Sequence, residues 1–312
     1  MIFSLHYSRY MYHQDSYQKH ENWYNTHFPT DEDKAVHLKK NDAKTQSLNN
    51  WLQNIFFSCI NPLLNKAGQE WLTIGDAYGF DAQYIQAKGQ KAEASDLNTD
   101  FLRISHQNGI IGNYSAQNAE SLSFSDNTFD YILCKETYHH FPRPYAALYE
   151  MIRVAKKAIV IIEPQDPVTK MPLLLGVLNI LTKLNSSFTK KVWKNRFSYE
   201  PVGNFVYKIS EREFEKFAAG LNLPVIAFKE INPNFYHQKL EGLTASPTEK
   251  QFRKVSRKKR LLDMLVKLSI IPGQVLSVIV FKEYPESAVL EDLKDQQYKI
   301  VHIPKNPYIN RS

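Results

Sequence analysis

The sequence predicts an α/β protein, a three-layer α/β/α sandwich around a mostly parallel seven-stranded sheet with helical insertions. Three observations lead there. Short apolar runs alternate with helical stretches from residue 70 to residue 163, the rhythm of strand–helix–strand units. The run Trp71-Leu-Thr-Ile74 ends in Gly75-Asp-Ala-Tyr-Gly79 and then a helix-compatible segment. That is the form of a buried strand, a tight loop and a helix N-terminus, where backbone can approach a ligand closely. Gly89 and Gly109 fall where helices should end.

Taken in order, residues 1 to about 48 are rich in His, Tyr, Lys, Asp and Asn without a sustained period, and read as an irregular or partly helical extension. Segment 49–66 places Leu52, Ile55, Phe56 and Cys59 at helical spacing, suited to packing on the sheet edge or over a ligand mouth. Strands are expected at 70–75, 91–95, 110–114, 129–134 and 158–163, with helices at 81–88, 99–107 and 145–154. After Glu163-Pro164 the alternation stops. Ser210-Glu-Arg-Glu-Phe214 is a capping-box pattern opening a helix to about Leu221. The last two strands are expected at 224–231 and 275–282, with a basic helical insert at 248–271 between them. The domain division is 1–66 for the extension and helical cap, 67–283 for the main domain, and 284–312 for the tail. The main domain carries insertions at about 165–208 and 233–272.

Composition sets the outer bounds. With 312 residues, 43% hydrophobic and 23% charged, the chain has enough apolar material for a globular core. A net charge of +7 allows an anionic partner without requiring one. Cys59 and Cys134 have neither CxxC spacing nor a partner cluster, which argues against a disulfide framework or a structural zinc site. The N-terminus lacks the apolar core of a signal peptide. The longest apolar run, 171–181, is too short for a membrane span. The expected compartment is the cytoplasm.

The glycine loop alone does not choose a ligand, since such turns serve NAD, FAD, S-adenosylmethionine and simple packing alike. Asp96, about 20 positions further on at the end of the second strand, can accept hydrogen bonds from both hydroxyls of a ribose. The plainer reading of Asp96 is a cap for the next helix.

A third set of residues separates the cofactors. Asn118-Ala-Glu-Ser-Leu-Ser-Phe124 is followed by Asp126-Asn-Thr-Phe-Asp130 before the fourth strand. His139-His-Phe-Pro142 then leads into Ala146-Ala-Leu-Tyr-Glu-Met-Ile-Arg-Val154 and the fifth strand. Together these resemble the class I S-adenosylmethionine-dependent methyltransferases of the type-11 group, whose fold is Rossmann-like. The resemblance covers residues 70–165 well and the ending loosely. It implies that Gly75, Ala77 and Gly79 line the loop beside the methionine half of the cofactor; apart from the resemblance, Asp76 is expected to offer a carboxylate near its ammonium. It implies that Asp96 binds the ribose, that Leu97 lies against the adenine face, and that Asn118 and Ala119 read the adenine edge. Cys134 and Lys135 would sit beside the methionyl group. The chain departs from the family pattern at Thr73, where an acidic residue is usual, at Ala77 for a glycine, at Asn118 for an aspartate, and at Lys156-Lys-Ala158 for a glycine-rich turn.

Methyl transfer asks for an in-line approach of a nucleophile to the sulfonium methyl, a dry site and in some cases a base. It needs no metal. His139 and His140 follow the fourth strand and are the candidate bases, because imidazole titrates near neutrality. The plainer reading is that one of them packs the helix start or touches the cofactor, and Glu136 and Tyr138 come next as candidates. No Asn/Asp-Pro-Pro-aromatic motif, carried there by amide- and base-nitrogen methyltransferases, follows that strand.

Lys250, Arg253, Lys254, Arg257, Lys258, Lys259 and Arg260 form a basic run with Leu261, Leu262, Leu265 and Leu268 behind it. A solvated helix face, a site for a phosphorylated acceptor or RNA, and a contact with an anionic membrane surface all stay open for it. Trp193, Phe197 and Tyr199 form either aromatic core or a wall for a ring-shaped acceptor.

The expected function is transfer of a methyl group from S-adenosyl-L-methionine to a small-molecule or glycan-precursor hydroxyl. Nucleic acid is not the expected partner. The competing readings are an NAD(P)-dependent oxidoreductase, an inactive cofactor-binding module and an RNA methyltransferase.

Overall fold

The computed structural model describes residues 12–40, 46–184, 197–200, 204–237, 240 and 242–308. The strands are β1 (Glu70–Ile74), β2 (Lys91–Asp96), β3 (Asn113–Ala116), β4 (Phe129–Lys135), β5 (Ala155–Pro164), β6 (Val225–Ile231), β7 (Val275–Phe281) and β8 (Lys299–His302). They form one sheet in the order β3-β2-β1-β4-β5-β7-β6-β8. The first five strands run parallel to one another, and β7 is antiparallel to both β5 and β6. Seven strands were expected, and the eighth comes from the tail, where β8 pairs with β6. Lys-Ile-Val-His302 is too short to stand out as a strand until β6 offers it an edge.

Residues of the central strands alternate between two cores. Leu72, Ile74, Ile132, Cys134, Ile159 and Ile161 face one, under α6 (Pro144–Val154). Trp71, Tyr131, Leu133, Ala158, Val160 and Ile162 face the other, under α4 (Phe80–Gln86) and the 3-10 turn Ser58–Leu63. A sheet covered on both faces accounts for strands that read as continuous apolar runs. Three further helices follow the parallel core: α7 (Pro172–Leu184), α8 (Glu211–Gly220) and α9 (Lys250–Lys267), with α10 (Ser287–Asp295) before β8. The expected capping box opens α8, where the Ser210 side chain accepts from Glu213 N.

The N-terminal extension is helical and has a packing role. α1 (Tyr12–His27) and α2 (Asp31–Lys40) share a small apolar cluster with α5 (Asp100–Gln107), built on Leu38, Phe101 and Ile104 with Tyr24, Phe28 and Tyr78 against it. α3 (Leu48–Phe57) starts at an N-cap, Ser47, whose side chain accepts from Asn50 N at 3.1 Å.

Register places the C-terminal ends of β1, β2 and β4 side by side: Ile74 lies opposite Ser95 on one flank and Cys134 on the other. The Gly75–Gly79 loop therefore emerges beside Asp96 and Lys135. Gly75 has φ +69°, and a Cβ there would fall 2.0 Å from Thr137 Cγ2. Gly75→Ala combines backbone strain with a clash, and we expect it to cost about 2 kcal/mol or more in urea unfolding. A loss below about 0.5 kcal/mol, the scatter of neutral surface changes, would contradict the close loop-to-loop contact.

Candidate active site at the carboxyl ends of the strands

The glycine loop is held from beneath by a carboxylate in an unexpected place. Asp76 Oδ2 accepts from Thr73 Oγ1 at 2.9 Å and from Ala82 N at 2.9 Å, and Oδ1 accepts from Asp81 N at 3.3 Å. The side chain thus satisfies free amides at the start of α4. Thr73 and Asp76 together do this with hydroxyl and carboxylate, three positions apart. Burial pushes the Asp76 carboxyl above its ordinary pKa.

Above the loop lies a cavity of about 870 Å³. Of the residues singled out in the sequence, Gly75, Asp76, Ala77, Asp96, Leu97, Asn118, Ala119, Lys135 and His140 line it. Thr73, Gly79, Cys134 and His139 do not. Thr73 and Cys134 are wholly buried in the sheet, Gly79 packs beside Ile111 with φ +78°, and His139 turns away into the protein. Asp96 Oδ1 accepts from Asn98 N at 2.9 Å, and desolvation raises its pKa to about 7. The neighbouring Leu97 is 48% exposed, so an apolar side chain stands open at the cavity. Asn118 Oδ1 accepts from Glu120 N at 2.9 Å, which fixes the side-chain plane.

Lys135 forms a buried pair with Asp81, Nζ to Oδ1 3.3 Å, with the rings of Phe56 and Phe57 each 5.5 Å from the ammonium. Burial works against the lysine's charge, but Asp81 leads a group of carboxylates that raises its pKa overall. Burial likewise lifts Asp81, to about 7, against the pull of Lys135. The sequence reading did not single out Asp81, because its role depends on a contact 54 positions away in the chain.

The two histidines separate. His139 Nδ1 lies 2.5 Å from Glu163 Oε2, and its Nε2 is 3.7 Å from Glu200 Oε1. Burial disfavours its charge, yet the two carboxylates raise its pKa to about 10. It is an imidazolium at neutral pH and cannot take a proton there. His140 Nδ1 lies 2.8 Å from Glu200 Oε2. Hydrogen bonds from both histidines pull the Glu200 pKa well below the carboxylate range. His20, from α1, meets His140 edge-on at 5.1 Å between ring centroids, and burial lowers its pKa to about 4. His139, His140 and Glu200 offer possible ligand atoms within 4.8 Å of one another, but His139 already gives its Nδ1–H to Glu163 and faces Glu200 with its Nε2 at ion-pair distance. Tyr138 is buried in the core, and Glu136 lines the cavity with φ 52°.

Residues that sequence reasoning passed over close the cavity: Tyr17, His20 and Tyr24 of α1, and Gln53 and Phe57 of α3. The first three recur at helical spacing, a signal hidden by a segment otherwise polar on every side. Of the aromatic wall proposed for the insertion, Trp193 lies outside the described residues, while Phe197 and Tyr199 are exposed.

A parallel sheet, a glycine loop at the end of its first strand and a carboxylate at the end of its second define a Rossmann-like nucleotide-cofactor site. Residues 72–162 match the family described as "Methyltransferase domain". The chain is 28% identical over 125 residues to the ubiquinone/menaquinone biosynthesis C-methyltransferase UbiE of Nitrobacter hamburgensis. That match covers 37% of this chain and about half of the relative, 49%. Among solved structures, it is similar to YcgJ of Bacillus subtilis, with 16% identity, TM-score 0.47, 73% of this chain and 100% of that one. It is also similar to 1,6-didemethyltoxoflavin-N1-methyltransferase of Burkholderia thailandensis, with 9% identity, TM-score 0.49, 91% of this chain and 99% of that one. The chain carries a class I S-adenosylmethionine-dependent methyltransferase domain, and S-adenosylmethionine is the cofactor of that domain.

Removing the ammonium that pairs Asp81 tests the electrostatics of this floor. Lys135→Met should destabilise the fold by about 3 kcal/mol near pH 9, where Asp81 is ionised beside the lysine, because it strands a buried carboxylate. Asp81 then has a folded pKa raised still further above its unfolded value, so the penalty belongs to its ionised form. It should shrink as pH falls and Asp81 takes up a proton. Urea melts across pH read this directly, and a penalty that grows towards acid would reverse the assignment.

Proposed function

We propose that the protein transfers the methyl group of S-adenosylmethionine to a hydroxyl oxygen of a small-molecule or glycan-precursor acceptor. The observation that carries this reading is the joint presence, on one cavity, of Asp96, Leu97 and Asn118 with a histidine whose Nδ1 is engaged by a carboxylate.

In this reading the ribose hydroxyls donate to Asp96, adenine lies against Leu97, and Asn118 and the Ala119 amide meet its edge. The methionine half runs over Gly75 and Ala77, with Gly79 shaping the loop behind them and Lys135 at its far end. Cys134 and Thr73 support this arrangement from the sheet. Asp76 is directed at the start of α4, which leaves the cofactor's ammonium to other acceptors.

His140 is the base. With its Nδ1–H donated to Glu200, the Nε2 lone pair is available to an acceptor hydroxyl. As the acceptor oxygen forms its bond to the methyl carbon, the carbon–sulfur bond breaks and its electron pair returns to sulfur. The products are the methyl ether and S-adenosylhomocysteine, and the hydroxyl proton passes to His140. His139 holds the loop and stays charged throughout. No step calls for a metal.

Two measurements test these assignments. Asp96→Ala should abolish cofactor binding in calorimetry while the circular dichroism spectrum is kept. In the native chain, affinity should climb as pH rises through about 7, where Asp96 loses its proton and gains full acceptor capacity. Retained affinity in the variant would remove the ribose assignment.

His140→Ala should lower kcat by about 10²-fold or more, with little change in cofactor affinity. Glu200→Gln should move the pH dependence of kcat while leaving cofactor affinity unchanged. Equal losses in binding and turnover for His140→Ala would make that residue a cofactor contact instead.

A further inference from the structure

Two helices leave the sheet at the same edge as the cavity, and each presents an unpartnered apolar stripe. β5 ends at Pro164, opposite Val275 at the start of β7, and Val275 also lies opposite Ile231 at the end of β6. α7 follows the first of these ends, and α9 lies in the connection between the other two. On α7, Leu173, Val177 and Ile180 are exposed at spacings that put them on one face. Leu173 is 87% exposed.

No described residue of α9 is buried, although it has a protein-facing side. Phe252 packs edge-on against Trp51 of α3 at 5.1 Å, and Asp263 accepts from Asn232 Nδ2 at 2.9 Å. The opposite side is divided along its length. Its first half carries Lys250, Arg253, Lys254, Arg257 and Arg260, all exposed. Its second half carries Leu261, Met264 and Leu268, exposed and followed by Ile270. Arg253 bonds to the carbonyls of Pro247 and Thr248, and Lys259 pairs with Asp263. Among the described residues, Lys254, Arg257 and Arg260 have no carboxylate within ion-pair distance.

We infer that the outer face of α9, together with the exposed stripe of α7, docks the protein on an anionic phospholipid bilayer. The cations sit along the headgroups, and the leucines, Met264 and Ile270 enter the interfacial region. Charge and pattern choose this occupant. A helix with a strongly basic part and an apolar part is the form that lies in a membrane interface. A second copy of the chain would bring the same cations against one another. An RNA would satisfy the cations but leave the aliphatic side chains of both helices in water, and the outward face of α9 offers no aromatic ring for base stacking. The cavity is adjacent, since Tyr236 and Gly242, from the connection that leads into α9, line it.

The test is sedimentation of the full chain with phosphatidylcholine vesicles, with and without phosphatidylglycerol. Binding is expected only to the anionic vesicles and should weaken as salt is raised. The triple variant Lys254→Gln, Arg257→Gln, Arg260→Gln should lose about fivefold in partitioning per cation removed. The double variant Leu261→Ser, Met264→Ser should lose about tenfold or more at unchanged charge. Circular dichroism and S-adenosylhomocysteine binding, which none of these five residues touches, confirm that each variant is folded. Equal binding to both vesicle types would overturn the inference, as would no binding to either. So would indifference to the Leu261/Met264 change, the outcome expected of an RNA site, or a loss of self-association in that variant without vesicle binding. Vesicle binding is read without turnover, so its failure leaves the methyl-transfer reading standing, and the reverse also holds.

Discussion

A single buried carboxylate organises the cavity end of this molecule. Glu163, fully buried at the end of β5, accepts from the backbone amides of Thr137 and Tyr138, each at 2.7 Å, and meets His139 Nδ1 at 2.5 Å. A charge held away from water persists only when donors surround it, and here all of them come from the loop after β4. That loop is therefore fixed. Its Thr137 hydroxyl donates to Gly75 O at 3.0 Å and ties the two cofactor-side loops together. Its Glu136 takes a left-handed conformation, and its His140 is delivered to the cavity. The division of labour between adjacent histidines follows: one is held charged by Glu163, and the next is oriented by Glu200.

The remaining walls come from parts of the chain outside the parallel core. α1 contributes Tyr17, His20 and Tyr24, and α3 contributes Gln53 and Phe57. α1 rests through Tyr24 on Phe101, Tyr78 and Leu38, whereas α3 buries Phe56 in the core of the sheet. A cover built this way lines the cavity with aromatic and polar side chains. It also places ionisable side chains where burial moves them far from their ordinary behaviour, as with His20.

What could be read beforehand was whatever is local. The five parallel strands, the helix from Pro144 and the capping box at Ser210 each rest on a short pattern of residues, and each formed within a few positions of expectation. Asp96, expected from its spacing, and Leu97 and Asn118, expected from the family resemblance, all line the cavity. The rest depended on contacts between distant segments. Glu200 approaches the histidines from an insertion, Lys135 finds Asp81 across the glycine loop, and β8 exists only because β6 leaves an edge free. Thr73 and Ala77 stand out in the sequence as departures from the family pattern. Asp76 turns its carboxylate to the Thr73 hydroxyl and the start of α4, a contact that the spacing does not reveal. His139 and His140 looked equivalent in sequence, and only their partners distinguish them.

We propose that the cavity over the Gly75–Gly79 loop holds S-adenosylmethionine rather than a nicotinamide dinucleotide. Isothermal titration of the full chain with S-adenosylhomocysteine, and separately with NAD, tests it most directly. Saturable one-site binding of S-adenosylhomocysteine is expected, with no heat of binding for NAD. Saturable NAD binding, with none for S-adenosylhomocysteine, would contradict it.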